Sequence, residues 1–401
     1  MKPRILFLVP SDYDDLTAKG VISMMGEREE QGFFERVITV HPAARQDRIL
    51  DLSPVHRLYE LKEYFLPLCE NRKWLRYPHH IFHLFRAARR IINIVDEERI
   101  NLIRATDPML TGILAWWVTL FRPIPYCVSI HADLEKRYEL DGTRGAQTIL
   151  GSRRLARILE RFVLRHATLV MPIRESLAQK VINEGIPPQH IGVIPHGIDL
   201  SLFVKDSGSI RQTLSIPQGV QIVSFVGRLS KENYVYDVID LAEVLSKKRS
   251  DFVIVIAGDG VERANIEKLC QEKKLQNCMR VVGFQPRNVV VSLRKESNIS
   301  LCLMGGFSLI EACAAGSPTI AYDVEWHSEL IKTGETGLLV PEHDPAKLLE
   351  AATYLLDHAM EGKEMGARAK QLAFDRHDLQ KTSLIKQTYY QRVLSDHSRN
   401  K

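Results

Sequence analysis

The feature that most restricts the fold of this chain is a repeated alternation of short apolar runs with longer amphipathic stretches. That is the pattern of parallel strands whose two faces are both covered by helices. In the N-terminal half the predicted strands are Ile5 to Val9, Arg36 to Val40, Leu102 to Ala105, Tyr126 to Ile130, Thr168 to Met171 and Ile191 to Ile194. Helices are predicted over His83 to Glu98 and Arg174 to Glu184. A turn-rich stretch from Pro195 to Asp199 and a polar one from Lys205 to Gly219 then break the rhythm. It resumes with Gln221 to Val226, Phe252 to Ala257, Met279 to Val282, Ile299 to Leu303 and Pro318 to Ala321, and Asp378 to Leu394 reads as a closing helix. The expectation is two tandem Rossmann-like α/β domains, residues 1–200 and 201–377, with 378–401 as a C-terminal helix packing back on the N-terminal domain. Ligands of such sheets bind beyond the carboxyl ends of the strands, so the site is expected there, in a cleft between the domains.

A length of 401 residues supports the division, because a single core stops growing at about 250–300 residues. With 45% hydrophobic and 26% charged residues the chain has enough apolar content to exclude extended disorder. Cys69, Cys127, Cys270, Cys278, Cys302 and Cys313 include no pair with the spacing of a zinc or redox motif, and read as buried apolar residues in a reducing compartment. The apolar run after Arg4 stops at Pro10, and the run Ile113 to Phe121 is half of the roughly 20 residues a spanning helix needs. A cytoplasmic protein, peripheral to the inner face of a membrane, is expected.

A formal net charge of +5 is too small to call for nucleic acid, but its distribution is informative. Residues 151–165 place Arg153, Arg157, Arg161 and Arg165 at helical spacing on one face, with Leu155, Ile158, Leu159 and Phe162 on another. A second basic cluster runs from Lys73 to Arg90. Two readings stand: a solvated helix face over a domain core, or a basic surface resting on anionic lipid headgroups.

The chemistry concentrates in residues 303–318. A strand ends at Leu303, Gly305 and Gly306 allow a tight turn, and a helix is predicted from near Ser308 to near Gly316. Its open amides, Ser308, Leu309 and Ile310, would form an anion site at the positive end of the helix dipole. Read structurally instead, Ser308 and Glu311 form a capping box.

The block Gly306-Phe307-Ser308-Leu309-Ile310-Glu311-Ala312, followed by Ala315-Gly316-Ser317-Pro318, resembles the donor-binding signature of the family 4, or group 1, glycosyltransferases of GT-B fold. The likeness continues, in the family's order, through Phe225 to Leu229, Ile256 to Gly260, Val282 to Phe284 and Thr336 to Val340. It implies two Rossmann-like parallel-sheet domains facing across a cleft, and a retaining hexosyltransferase. Such an enzyme takes a nucleotide-diphosphate sugar as donor with no further cofactor, and the basic helix over 151–165 taken with the fold analogy points to a glycan or lipid-linked acceptor of the cell envelope. The resemblance implies that Arg228, after Gly227, contacts the diphosphate, that the amides after Phe307 hold the distal phosphate, and that Glu311 receives the ribose hydroxyls. Gly258 matches the next strand end. His131, in Val128 to Asp133, corresponds to a histidine approaching the transferred sugar. Asp133 is a candidate for positioning the acceptor, and Lys19-Gly20 stands where the family has a glycine-rich loop.

Two positions depart from the family. Leu303 stands where a second glutamate is usual, which puts sugar recognition in question, and Asn233 stands where a lysine is usual, leaving Lys231 to serve the phosphates. A non-catalytic relative, or an epimerase or phosphorylase on the same fold, is the alternative. Asp12-Tyr13-Asp14, a superficial metal motif, reads as a solvated loop, and no metal requirement is expected.

Overall fold

The computed structural model describes residues 2–18, 22–63, 73–131, 152–205 and 208–399. Contacts divide the chain into two compact units, Met1–Pro195 with Ser383–Lys401, and His196–Thr382.

The first unit is a seven-stranded sheet of order β3-β4-β2-β1-β5-β6-β7. Its strands are β1 (Arg4–Leu8), β2 (Arg36–Ala44), β3 (Arg48–Asp51), β4 (His56–Lys62), β5 (Leu102–Ala105), β6 (Tyr126–Ile130) and β7 (Leu169–Pro172). All neighbours are parallel except β3, which is antiparallel to β4. Its helices are α1 (Tyr13–Ala18), α2 (Lys73–Glu97), α3 (Leu110–Phe121), α4 (Arg153–His166) and α5 (Glu175–Asn183), with a C-terminal helix over Leu379–Arg399. Successive residues of β1 point to opposite faces. Leu6 and Leu8 pack with Ile91, Leu114 and Val163 of α2, α3 and α4, whereas Ile5 and Phe7 pack with Tyr390 and Val393 of the C-terminal helix. That helix is fastened by Ser383 and Lys386 to Glu30, at 2.8 and 2.7 Å.

Four expectations need correction here. Strands β3 and β4 carry too many charges to stand out as apolar runs; Glu60 of β4 is buried between His41 and Arg48. Ile191 to Ile194 makes only an isolated bridge, Ile191 to Val170. Gly192 and Ile194 donate to the Val170 and Pro172 carbonyls at 2.9 and 2.8 Å, but Pro172 has no N–H with which to continue the ladder. Asp12 is buried, not solvated: it accepts from the Asp14 and Arg45 amides at 2.9 and 3.0 Å, anchoring the start of α1. Finally, Ile158 of α4 is exposed, and the buried face of that helix is made by Ala156, Val163 and Leu164.

The second unit is a wholly parallel six-stranded sheet of order β10-β9-β8-β11-β12-β13. Its strands are β8 (Gln221–Val226), β9 (Phe252–Ala257), β10 (Met279–Gly283), β11 (Ile299–Leu301), β12 (Thr319–Tyr322) and β13 (Leu338–Val340). The helices are α6 (Ile210–Thr213), α7 (Val235–Ser246), α8 (Arg263–Glu272), α9 (Arg287–Glu296), α10 (Phe307–Ala315), α11 (His327–Leu330), α12 (Pro345–Asp357) and α13 (Ala359–His377). Helix α10 ends at Gly316, whose φ of 75° is left-handed; the Ser317 and Gly316 amides close the last turn onto Ala312 and Cys313. Helix α13 crosses at Gly366, where a Cβ would lie 2.2 Å from the Gly316 carbonyl oxygen.

In the first unit His56 is fully buried beside Arg28, with its Nε2 2.8 Å from the Thr39 hydroxyl, and burial lowers its pKa from 6.5 to about 4. The unfolded chain therefore takes up a proton more readily, so stability is full above about pH 6.5 and falls as pH drops toward 4. The shift corresponds to about 3 kcal/mol. His56→Gln should flatten this acid slope, as read by urea unfolding at pH 7.5 and pH 4.5.

Candidate functional site

Because the second sheet is parallel throughout, the loops leaving β8, β9, β10, β11 and β12 emerge at one edge. The loops after β8 and β9 are locked together. Gly227 donates to the Ala257 carbonyl at 3.1 Å, Leu229 to that of Asp259 at 3.0 Å, and Gly258 to that of Gly283 at 2.8 Å. Gly258 has a φ of 149°, and a Cβ there would fall 1.9 Å from the Gly227 carbonyl oxygen, so only glycine fits. Arg228 is exposed on this loop, and Lys231 is exposed at the start of the short turn Lys231–Asn233. Asn233 is a loop-closing residue: its side-chain amide donates to the Arg228 carbonyl at 2.8 Å and to the Ser230 hydroxyl at 3.3 Å.

Helix α10 begins two residues earlier than the capping-box reading requires. Gly306 is its N-cap and Phe307 its first residue, so Ser308 is not a cap. By helix geometry the N–H groups of Phe307, Ser308 and Leu309 lack intrahelical acceptors, while that of Ile310 reaches back to Gly306; the open set sits one residue earlier than expected. The side chains of Leu309 and Ile310 are buried in the core, leaving only backbone for a ligand. Ser308 instead donates its hydroxyl to the Val226 carbonyl at 2.7 Å, which ties the start of α10 to the end of β8, two residues before Arg228. Phe307 is partly exposed, its ring 5.3 Å from that of His196. Gly305, in the preceding turn, donates its N–H to His327.

Three residues that no spacing marks complete this frame. Arg294, on α9, is 1% exposed and donates to the Ser308 hydroxyl at 2.8 Å. Its Nη2 is 3.9 Å from Glu311, and its Nε has no hydrogen-bond partner among the described residues. Arg287 approaches Glu311 from the other side, at 3.8 Å. Glu311 thus has a guanidinium within 4 Å of each carboxylate oxygen. His327 is fully buried, and desolvation lowers its pKa, so the ring is neutral. Its Nδ1–H donates to the Tyr322 carbonyl at 2.8 Å, which leaves Nε2 to accept the Gly305 N–H at 3.1 Å. A buried histidine thereby fixes the turn before α10.

Leu303 is fully buried in the core with Leu301 and Ile299, so no acidic group reaches the edge from that position. In the first unit His131 directly follows β6 and is exposed. Lys19, Gly20 and Asp133 lie outside the described residues.

Two family models match the chain. "Glycosyl transferases group 1" matches residues 206–372 and "Glycosyl transferase 4-like domain" residues 23–197, so together they span most of its length. Among curated proteins, the chain is 24% identical over 233 residues to an alpha-D-kanosaminyltransferase of Streptomyces kanamyceticus, 56% of this chain and 60% of that one. The chain spans about three fifths of the length of such relatives. Among solved structures, a sucrose-phosphate synthase from Thermosynechococcus elongatus superposes with a TM-score of 0.71 at 18% identity, covering 98% of this chain and 100% of that one. HepE of Anabaena, in complex with UDP, superposes with a TM-score of 0.70 at 17% identity, covering 98% and 100%.

Two substitutions test the frame. Gly258→Ala should destabilise the second unit by at least about 3 kcal/mol, because a backbone carbonyl rather than a side chain must give way. Ser308→Ala strands the Val226 carbonyl and the Arg294 guanidinium, and should cost about 2–3 kcal/mol. Thermal unfolding of both variants against the parent gives the measurement.

Proposed function

The chain belongs to the group 1 glycosyltransferases of GT-B fold, and we propose that it transfers a hexose from a nucleoside-diphosphate sugar to a glycan or lipid-linked acceptor of the cell envelope. Retention of anomeric configuration and independence of metal are part of the reading. The observation that carries it is the open start of α10 tied by the Ser308–Val226 hydrogen bond to the end of β8, two residues before exposed Arg228. Departure of a nucleoside diphosphate concentrates negative charge on its terminal phosphate, and fixed amides with a guanidinium stabilise that charge without reorganising. In this scheme the Phe307, Ser308 and Leu309 amides and Arg228 hold the diphosphate, and Lys231 serves it in place of the lysine that Asn233 replaces. Glu311 accepts the ribose hydroxyls. The family resemblance assigns His131 to the transferred sugar, Asp133 to the acceptor and Lys19-Gly20 to the donor phosphates. The UDP held by HepE of Anabaena supports a nucleotide-linked donor.

Burial of Leu303 removes one carboxylate from the sugar side of the donor, so donor contacts differ from those of relatives that keep a glutamate there. No described helix is long and apolar enough to cross a membrane. The exposed Arg157, Arg161 and Arg165 of α4 support a peripheral contact with anionic lipid on the cytoplasmic side.

A panel of radiolabelled nucleotide sugars tests this reading. Turnover is expected with at least one donor and should persist in EDTA, and Arg228→Ala should lower kcat by about 10²- to 10³-fold. If no donor releases its sugar and Arg228→Ala binds UDP as tightly as the parent by calorimetry, the transferase reading fails and a non-catalytic binding protein remains.

A further inference from the structure

We infer that the outer face of helices α2, α3 and α4 is a membrane-docking surface that inserts apolar side chains into an anionic phospholipid bilayer. The inference rests on the proposed reading that the acceptor is presented at a membrane, and replaces a purely electrostatic contact through α4 with one led by apolar insertion. All three helices pack on the same face of the first sheet: Ala88 and Ile91 of α2, Leu114 and Val118 of α3, and Val163 and Leu164 of α4 share one core cluster. Helix α3 lies against both of the others. Its twelve residues include no charged side chain, although only one side of it is buried. Trp117 meets Phe85 of α2 edge-on at 6.2 Å, and Trp116 meets Phe162 of α4 at 4.8 Å.

The outward sides of these helices are unusually apolar. Ile81, Phe82 and Phe85 of α2 are 58%, 59% and 50% exposed, Leu120 of α3 is 58% exposed, and Ile158 of α4 is 65% exposed. Adjacent exposed apolar groups of this size mark interaction sites rather than ordinary surface. The flanks are basic: Arg154, Ile158, Arg161 and Arg165 fall at i, i+4, i+7 and i+11 on one exposed stripe of α4, and Arg89 is exposed one turn beyond Phe85. An apolar centre bordered by arginines complements acyl chains beneath anionic headgroups. A second copy of the chain suits this face less well, because two-fold pairing of like surfaces opposes arginine to arginine.

The test mixes the full-length protein with vesicles of phosphatidylcholine, alone or with phosphatidylglycerol, and measures the bound fraction by sedimentation over a salt series. Binding is expected only with phosphatidylglycerol present, with a blue shift of tryptophan emission from Trp116 and Trp117. Phe82→Ser combined with Phe85→Ser leaves the charge unchanged and should weaken binding about thirtyfold. Arg161→Gln with Arg165→Gln should weaken it by about fivefold per charge and flatten its salt dependence. The inference is overturned if the double serine variant binds as tightly as the parent or if the parent ignores anionic vesicles. It is equally overturned if the face instead mediates a dimer that sedimentation detects and the serine variant abolishes. UDP binding, measured on the same samples, separates the two proposals: vesicle binding lost with UDP binding intact isolates the docking surface, whereas a parent that binds vesicles but neither binds UDP nor turns over any donor counts against sugar transfer alone.

Discussion

Six strands running in one direction give the second unit its functional edge: every loop that leaves a carboxyl end must arrive at the same side of the sheet. Alignment alone would leave those loops as separate excursions. The Ser308 hydroxyl removes that freedom by bonding to the end of β8 while accepting from a buried guanidinium on α9. Three elements distant in sequence are thereby fixed at the point where α10 begins. The orientation of open amides beside Arg228 follows from this junction more than from the glycines that precede the helix.

Much of this edge was legible before any coordinates. Strands β8 and β9 appear at the predicted bounds because buried parallel strands are continuous apolar runs, a signal that needs no partner to be read. The turn at Gly305-Gly306, the helix after it and its termination at Gly316 were equally visible, since glycine and proline punctuate local structure. What escaped were features decided by neighbours in space. Strand β4 hides behind charges whose partners lie on β2, β3 and the start of α1. Ile158 has the right spacing for burial but faces outward, because α4 is rotated to present Ala156, Val163 and Leu164 to the sheet. Ser308 followed by Glu311 matches a capping box in sequence, yet the hydroxyl that a cap would use to accept a backbone amide instead donates to the end of β8 and accepts from Arg294. His327 and Arg294 carry no motif, and their roles exist only once α9, β12 and α10 have packed.

The departures from the family pattern acquire a physical meaning in this setting. Asn233 is not an idle substitution for a cation, since it closes the loop that displays Arg228. Leu303 joins the core, and the remaining carboxylate, Glu311, stands between Arg287 and Arg294. Two guanidiniums thus face one carboxylate at this point, with that of Arg294 sealed beneath the helix start where solvent screens it little. The diphosphate proposed to bind here would be favoured more by this weighting than by one with a second acid.

The close crossing at Gly316 and Gly366 bears on how such a ligand is received. With no side chain on either residue, the backbone of α13 stands directly against the far end of α10, as a backstop to a short piston. A diphosphate bound at the opposite end, as proposed, would meet a helix whose far end is already set against backbone, so little of the attraction would be spent on rearranging the protein.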